Sequence, residues 1–414
     1  MSIYAQCEQA YKASKALAVL PASQRNAALD AMATAIRSNI ASLLLANQHD
    51  QIAGKQAGLS KALIDRLALT GPRLEVLADS LSLIASLPDP LGKTIDGWTQ
   101  PNGLVISKQR VPIGVVAIIY EARPNVTADA IALCIKTGNA VVLRGSSMCE
   151  QSNKALASVL KTAAIAHGVS GDAIQLLEDV SRDGIDELVK MRQFLSVVIP
   201  RGGHALIQRV VTSSLVPTIE TGVGNCHIFI DDSADLNQAI PLVLNAKTQR
   251  PSVCNACETV LIHQDIASAF LPLLAAALVK EGVEIRGCPQ TKQLLPDTTL
   301  AEESDWATEF LDLVLAIKVV ASVEEAIDHI HRYGTHHSES ILSNNKRHID
   351  RFVAHVDAAA VLVNASTRFV DGGEFGFGAE LGISTQKLHV RGPMGLEALT
   401  SYKYIVQGDG HIRG

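Results

Sequence analysis

"IGVVAIIYEARPNVTADAIALCIKTGNAVVLRG", Ile113 to Gly145, decides the fold. Ile113 to Tyr120 is an apolar run with the β-branched richness of a buried strand, "TADAIALCIKTG" has a short helix's spacing and a glycine stop, and "NAVVLRG" is a second buried strand. Strand, helix and strand in that order predict a right-handed βαβ unit and a parallel sheet covered on both faces. The alternation continues through "EQSNKALASVLKTAAIAHG", "AIQLLE", "GIDELVKM", "FLSVVIPRGG" and "HALIQRVV", so residues 113–225 read as a doubly wound domain. A second alternation, from "CHIFIDD" through "ETVLIH", "LDLVLAIKVV" and "SESILS" to "AAAVLVN", gives a second α/β domain over 226–384.

Residues 1–93 are helical by periodicity and join 113–225 as one domain. Between them, 94–112 is rich in Pro, Gly and turn dipeptides and ends in an alternating, exposed strand, Leu104 to Arg110. The mixed tail, 385–414, is expected to pair with this hairpin as a small β flap for oligomerisation, because an open sheet edge is a liability that a partner covers. The expected fold class is therefore α/β, two doubly wound domains plus a small flap, in a homodimer or homotetramer.

Composition narrows the function. At 414 residues the chain exceeds the size of one growing core, and 47% hydrophobic with 19% charged residues is globular usage. A net charge of -6 gives no broad basic surface for nucleic acid. No run of about eighteen apolar residues predicts a membrane span. The first residues lack a signal or transit pattern, so a cytoplasmic protein is expected. Seven cysteines, odd and scattered, predict reduced thiols.

Two of those cysteines, Cys254 and Cys257 in "QRPSVCNACETVLI", invite three readings. A structural metal needs four ligands, and "HIHRYGTHHS" supplies histidines at no zinc spacing, so no metal is expected. A redox pair should open a helix after a strand, whereas here the strand follows the cysteines. The third reading makes Cys254 a nucleophile: a thiolate attacks an acyl group and holds it as a thioester that accepts hydride. Backbone N–H groups and the Asn255 amide can serve the oxyanion, and Arg250 can lower the thiol pKa or hold an anion. A buried cysteine that only packs remains equally open on this stretch, and Cys257 reads as core.

"PTIETGVGNCHIFID" places Glu220 ahead of Gly222 and Gly224, with Cys254 34 positions beyond Glu220. With "TEFLDLVLAIKVVASVEEAI" and the glycine-rich "VNASTRFVDGGEFGFGAELGIST", this order resembles the aldehyde dehydrogenase superfamily. Within it, "VPIGVVAIIYEARPNVTADA", "VVLRGSS", "VIPRGG", "RPSVCNACET" and "KLHVRGPMGLEALTSYKY" are similar to the branch acting on acyl phosphates. The resemblance implies an aldehyde dehydrogenase-like fold in which NADPH, bound by the first domain, reduces L-glutamate 5-phosphate.

Its implied catalytic residues are Cys254 as nucleophile, Asn125 as oxyanion donor and Glu220 as acid/base. Arg144, Ser146 and Ser147 fall where the superfamily meets the adenine ribose, and an arginine with small serines favours NADP over NAD. Arg201, Gly202 and Gly203 stand at a strand-to-helix turn suited to the cofactor's anionic groups, and Glu309 resembles the glutamate on the nicotinamide ribose. Arg123, Arg250, Asn255 and His337 are the expected substrate contacts, with His336 as the alternative histidine. A glutamate 5-kinase is the expected protein partner.

Overall fold

The computed structural model describes residues 1–413, apart from the side chains of Lys61 and Ala62. Two compact units emerge: Met1–Thr221 with Gly376–Gly382 and the residues from Met394 on, and Gly222–Phe375 with Ile383–Pro393. Each is α/β, the class the alternating pattern predicts.

The first unit opens with helices Ile3–Leu17, Ala22–Ser38, Ile40–Gln56, Lys61–Leu67 and Gly71–Ser86. Local chemistry sets their starts. The Ser2 hydroxyl accepts from the Ala5 N–H at 3.2 Å, and Thr70 accepts from Arg73 at 3.3 Å with Pro72 in the first turn, where its missing N–H costs nothing.

Its parallel sheet runs Ile174–Leu176, Ala140–Arg144, Val115–Tyr120, Val197–Arg201. All of Val115–Tyr120 is buried, as a strand covered on both faces demands. Full burial is worth about 1.5–3 kcal/mol for each large aliphatic side chain. The Tyr120 hydroxyl stays satisfied 2.6 Å from Thr127 Oγ1. Chain order reverses at Val115–Tyr120: the next two strands lie on one side and Val197–Arg201 on the other. Such a reversal opens a crevice at the carboxyl ends of the strands.

Thr94–Thr99, Val105–Pro112 and Thr400–Gln407 form a three-stranded antiparallel sheet, so hairpin and tail pair as expected. Gly103, with φ 91°, makes the hairpin turn.

The second unit is one parallel sheet in the order Thr299–Leu300, Glu284–Gly287, Val314–Val320, Cys257–His263, Cys226–Ile230, Ser338–Leu342, Ala360–Val363. Glu284–Gly287 and Thr299–Leu300 carry no sequence signal, being too short to show a period. Gly224, Cys254, His337 and Asp357 all lie just before a strand of this sheet. The second unit thus gathers its reactive residues at the amino ends of its strands, whereas Arg144 and Arg201 of the first unit end theirs.

Candidate active site

Cys254 lies in the turn between helix Leu236–Thr248 and strand Cys257–His263, closed by the Ala256 N–H on the Val253 carbonyl at 3.1 Å. A Cβ on Gly224 would strike the Cys254 backbone, so glycine there lets two chain segments touch. Cys226 Sγ donates to the Cys254 carbonyl at 3.2 Å, and the Gly224 N–H donates to Glu309 Oε1 at 2.8 Å. The turn is therefore anchored on both flanks.

Among the described residues Cys254 is the one cysteine that is not buried. Burial pushes the Cys149 thiol up to about 11 and Cys7 to about 12, and drives those of Cys134, Cys226 and Cys257 higher still. Protonated, packed thiols are inert, which separates Cys254 from its neighbour Cys257.

Two arginines serve the turn, Arg250 from within it and Arg368, which the sequence reading misses. Arg368 Nε donates to Gln249 Oε1 at 2.8 Å and Nη1 to Asn255 Oδ1. Burial pushes the Arg368 guanidinium down from its ordinary value; Asp371 opposes this, Arg250 adds to it, and Cys254 and Glu374 oppose it. The only sequence signal for Arg368 was its being the sole arginine in the glycine-rich closing segment.

Asn255 and His337 both have protein partners. The buried Asn255 side-chain amide donates to the Val370 carbonyl at 2.9 Å, and the Asn255 backbone carbonyl accepts from the Thr367 hydroxyl at 2.7 Å. That amide holds the 367–370 segment, as a buried amide takes the backbone partners at hand. His337 is fully buried, with Nδ1 2.7 Å from Ser338 Oγ and 3.7 Å from Cys226 Sγ. His336 is exposed, with Nδ1 2.6 Å from the Asp357 carbonyl.

In the first unit Arg123, Asn125, Arg144, Ser146, Ser147, Arg201, Gly202 and Gly203 lie at or just beyond the carboxyl ends of strands. Asn125 begins helix Asn125–Lys136 and its amide donates to Asp129 at 3.1 Å. Burial raises the Asp129 carboxyl to about 6, with Asn125 and Arg201 opposing. Half-buried Arg123 lies two residues after Glu121, whose carboxylate accepts the Gly203 N–H at 2.8 Å. Glu121 thus takes the donor at the start of helix His204–Ser213 that was expected to meet cofactor phosphate. Half-buried Glu220 runs beside strand Val197–Arg201, where the Ile219 N–H donates to Val198. Ser146 caps the turn Ser147–Cys149 by accepting from Met148, while Ser147 is exposed.

Arg144 fits an anionic cofactor. Its Nη2 donates to the Val180 and Ser181 carbonyls at 2.5 and 2.8 Å, while its buried Nε has no partner among the described residues. A buried donor left unmatched is costly, and a phosphate at the end of strand Ala140–Arg144 would complete it.

The chain belongs to the aldehyde dehydrogenase family, whose model matches residues 2–291. Within that family it is similar to gamma-glutamyl phosphate reductases. The one from Moorella thermoacetica is 56% identical over 406 residues, covering 98% of this chain and 97% of its own. The crystal structure of the Thermotoga maritima gamma-glutamyl phosphate reductase superposes with a TM-score of 0.97 at 46% identity, covering 100% of both chains. An acetylating aldehyde dehydrogenase from Geobacillus thermoglucosidasius, 18% identical with a TM-score of 0.72 over 100% of this chain and 97% of its own, shares the fold.

Proposed function

We propose that this oxidoreductase converts L-glutamate 5-phosphate and NADPH into L-glutamate 5-semialdehyde, phosphate and NADP, the second step of proline synthesis from glutamate. The observation that carries the reading is the single unburied cysteine, Cys254, on a turn beside two arginines. The names of the relatives supply the substrate.

The Cys254 thiolate attacks C5 of the acyl phosphate, the C–O bond to phosphate breaks, and phosphate leaves with the bonding pair. Arg250 and Arg368 favour the thiolate over the thiol electrostatically. NADPH, when bound, supplies the hydride. The Cys254 thioester becomes a thiohemiacetal, which collapses to the aldehyde and returns the thiolate. Glu220 takes the thiol proton at the start, and the Asn125 amide donates to the C5 oxyanion, both roles implied by the family likeness. Arg144 and Ser147 hold the NADP ribose phosphate, Arg201 and Gly202 lie along the cofactor, and Arg123 meets the substrate.

Homodimer or homotetramer assembly, a cytoplasmic setting and association with a glutamate 5-kinase complete the proposal. Among the described residues no helix is long and apolar enough to cross a membrane.

The reverse reaction tests it. With L-glutamate 5-semialdehyde, phosphate and NADP, the parent should turn over only when phosphate is present, and Cys254→Ser should lose at least about 1,000-fold in kcat. Cys257→Ala should stay near the parent. Equal rates without phosphate, or with coenzyme A in its place, would overturn the substrate assignment.

A further inference from the structure

The α-amino acid end of the proposed substrate carries one anion and one cation, and a site for it must meet both. The second unit carries a cleft of about 200 Å³ lined by Asn245, Gln249, Arg368, Phe369, Asp371 and Glu374. It adjoins the nucleophile turn at two points, for Arg368 is bonded both to Gln249, at the start of the turn, and to Asn255, the residue after Cys254. Its charge is mixed. A half-buried guanidinium faces the same space as two carboxylates, with Arg250 close enough to act on that guanidinium.

A lone phosphate dianion suits this lining poorly, since Asp371 and Glu374 would repel it. An uncharged acyl chain suits it no better, because the lining offers one aromatic ring among five polar side chains. A group with one anionic and one cationic end matches it, the anion on the planar fork of the arginine and the cation on the carboxylates.

We infer that this cleft holds the α-amino acid end of the substrate, Arg368 pairing with the α-carboxylate and Asp371 with Glu374 facing the α-ammonium. The inference rests on the glutamyl reading of the Cys254 site. Backbone bonds fix the geometry of the acidic side: the Asp371 carboxylate accepts the Gly373 N–H at 2.9 Å, and its carbonyl accepts the Phe375 N–H at 2.9 Å. The Asn255 amide on Val370 ties that loop to the nucleophile. Distance from sulfur to cleft is thereby set by rigid contacts, and a substrate of the wrong length misplaces its reacting carbon.

The test uses the full chain in the phosphate-dependent oxidation, with three aldehydes: L-glutamate 5-semialdehyde, 5-oxopentanoate without the ammonium, and 4-aminobutanal without the carboxylate. The parent should favour the first over each of the others by about 10- to 100-fold in kcat/KM, the loss of one charge-assisted contact. Asp371→Asn with Glu374→Gln should abolish the preference over 5-oxopentanoate while retaining the preference over 4-aminobutanal. Arg368→Lys and Arg368→Gln should do the reverse, raising KM for the semialdehyde with KM for phosphate unmoved.

Both preferences intact in soluble, phosphate-dependent variants would sink the inference and leave the reaction standing. A rise in KM for phosphate alone would give Arg368 to the leaving group instead. Should Arg368→Gln fail to fold, the acidic double variant decides. A parent that turns over without phosphate fails at the earlier step and takes the inference with it.

Discussion

At the scale of single residues, the position of the sulfur depends on a pair that never touches substrate. Lys247 and Glu258 bracket the nucleophile turn, and both are fully buried with Nζ 2.5 Å from Oε2. Burial pushes the Glu258 carboxyl up to about 7 against the pull of Lys247, and its other oxygen accepts the Leu311 N–H at 3.3 Å. Removing one partner strands the other charge in the interior, which costs about 3–5 kcal/mol, while replacing both by apolar groups of similar volume is often close to neutral. Glu258→Gln should therefore lower the unfolding free energy at pH 7 by about 3–5 kcal/mol in denaturant titration, and Lys247→Met with Glu258→Leu should recover at least half of it. Equal losses in the two proteins would show that the charges are not what matters. Cys254 was singled out in the sequence by the order of Glu220, glycine-rich turn and cysteine together with the strand that follows it. Arg368 was not, standing 114 positions away with only the fold to bring it to Asn255.

At the scale of elements, the short hairpin Ile383–Ser384 with Gly392–Pro393 is too small to stand on its two paired positions. Asp357 supplies the clamp, its carboxylate 2.7 Å from Lys387 Nζ and 2.8 Å from Arg391 Nη2, with His336 Nδ1 at 3.8 Å. The Lys387 ammonium and the Arg391 guanidinium beside it pull the Asp357 carboxyl down to about 2 from an ordinary 3.8. A folded-state value below the unfolded one means the clamp stabilises the hairpin above about pH 4 and is lost as pH falls through about 2. Amide exchange, normalised to intrinsic rates, should show protection at Ser384 and Gly392 fading in that window, and Asp357→Asn should show the faded level already at pH 6. Protection unchanged to pH 2 would place the clamp elsewhere. The same elements show what a pattern can carry: the long strands were legible from buried β-branched runs, and the opening helices from apolar periodicity. Glu284–Gly287 and the hairpin itself were not, since four or fewer residues show no period and the clamp joins residues 30 and 34 positions apart.

At the scale of the molecule, the antiparallel flap is the feature that one chain leaves unfinished. Among the described residues its outer strand, Thr400–Gln407, pairs only with Val105–Pro112, so its other edge presents a row of backbone donors and acceptors. Tyr402, Tyr404 and Val406 on it are 48%, 54% and 55% exposed, and Trp98 on the far strand is 41% exposed. Large apolar side chains beside an open edge mark an interaction surface in a protein that stays dispersed. In the proposed homo-oligomer the flap of one copy would be covered by another. Tyr404→Asp with Val406→Asp puts two charges on that edge, where like charges on symmetry-related copies repel. Sedimentation at about 10 μM should find the parent as a dimer or tetramer, and the double variant shifted at least about 100-fold toward monomer in its association constant, since each desolvated carboxylate costs at least the roughly 1–3 kcal/mol of a buried unpaired polar group. Its helical content should be unchanged, because both side chains already face solvent in the isolated chain. A parent that sediments as a monomer would leave the flap without this role, and a variant that assembles like the parent would move the contact to another face.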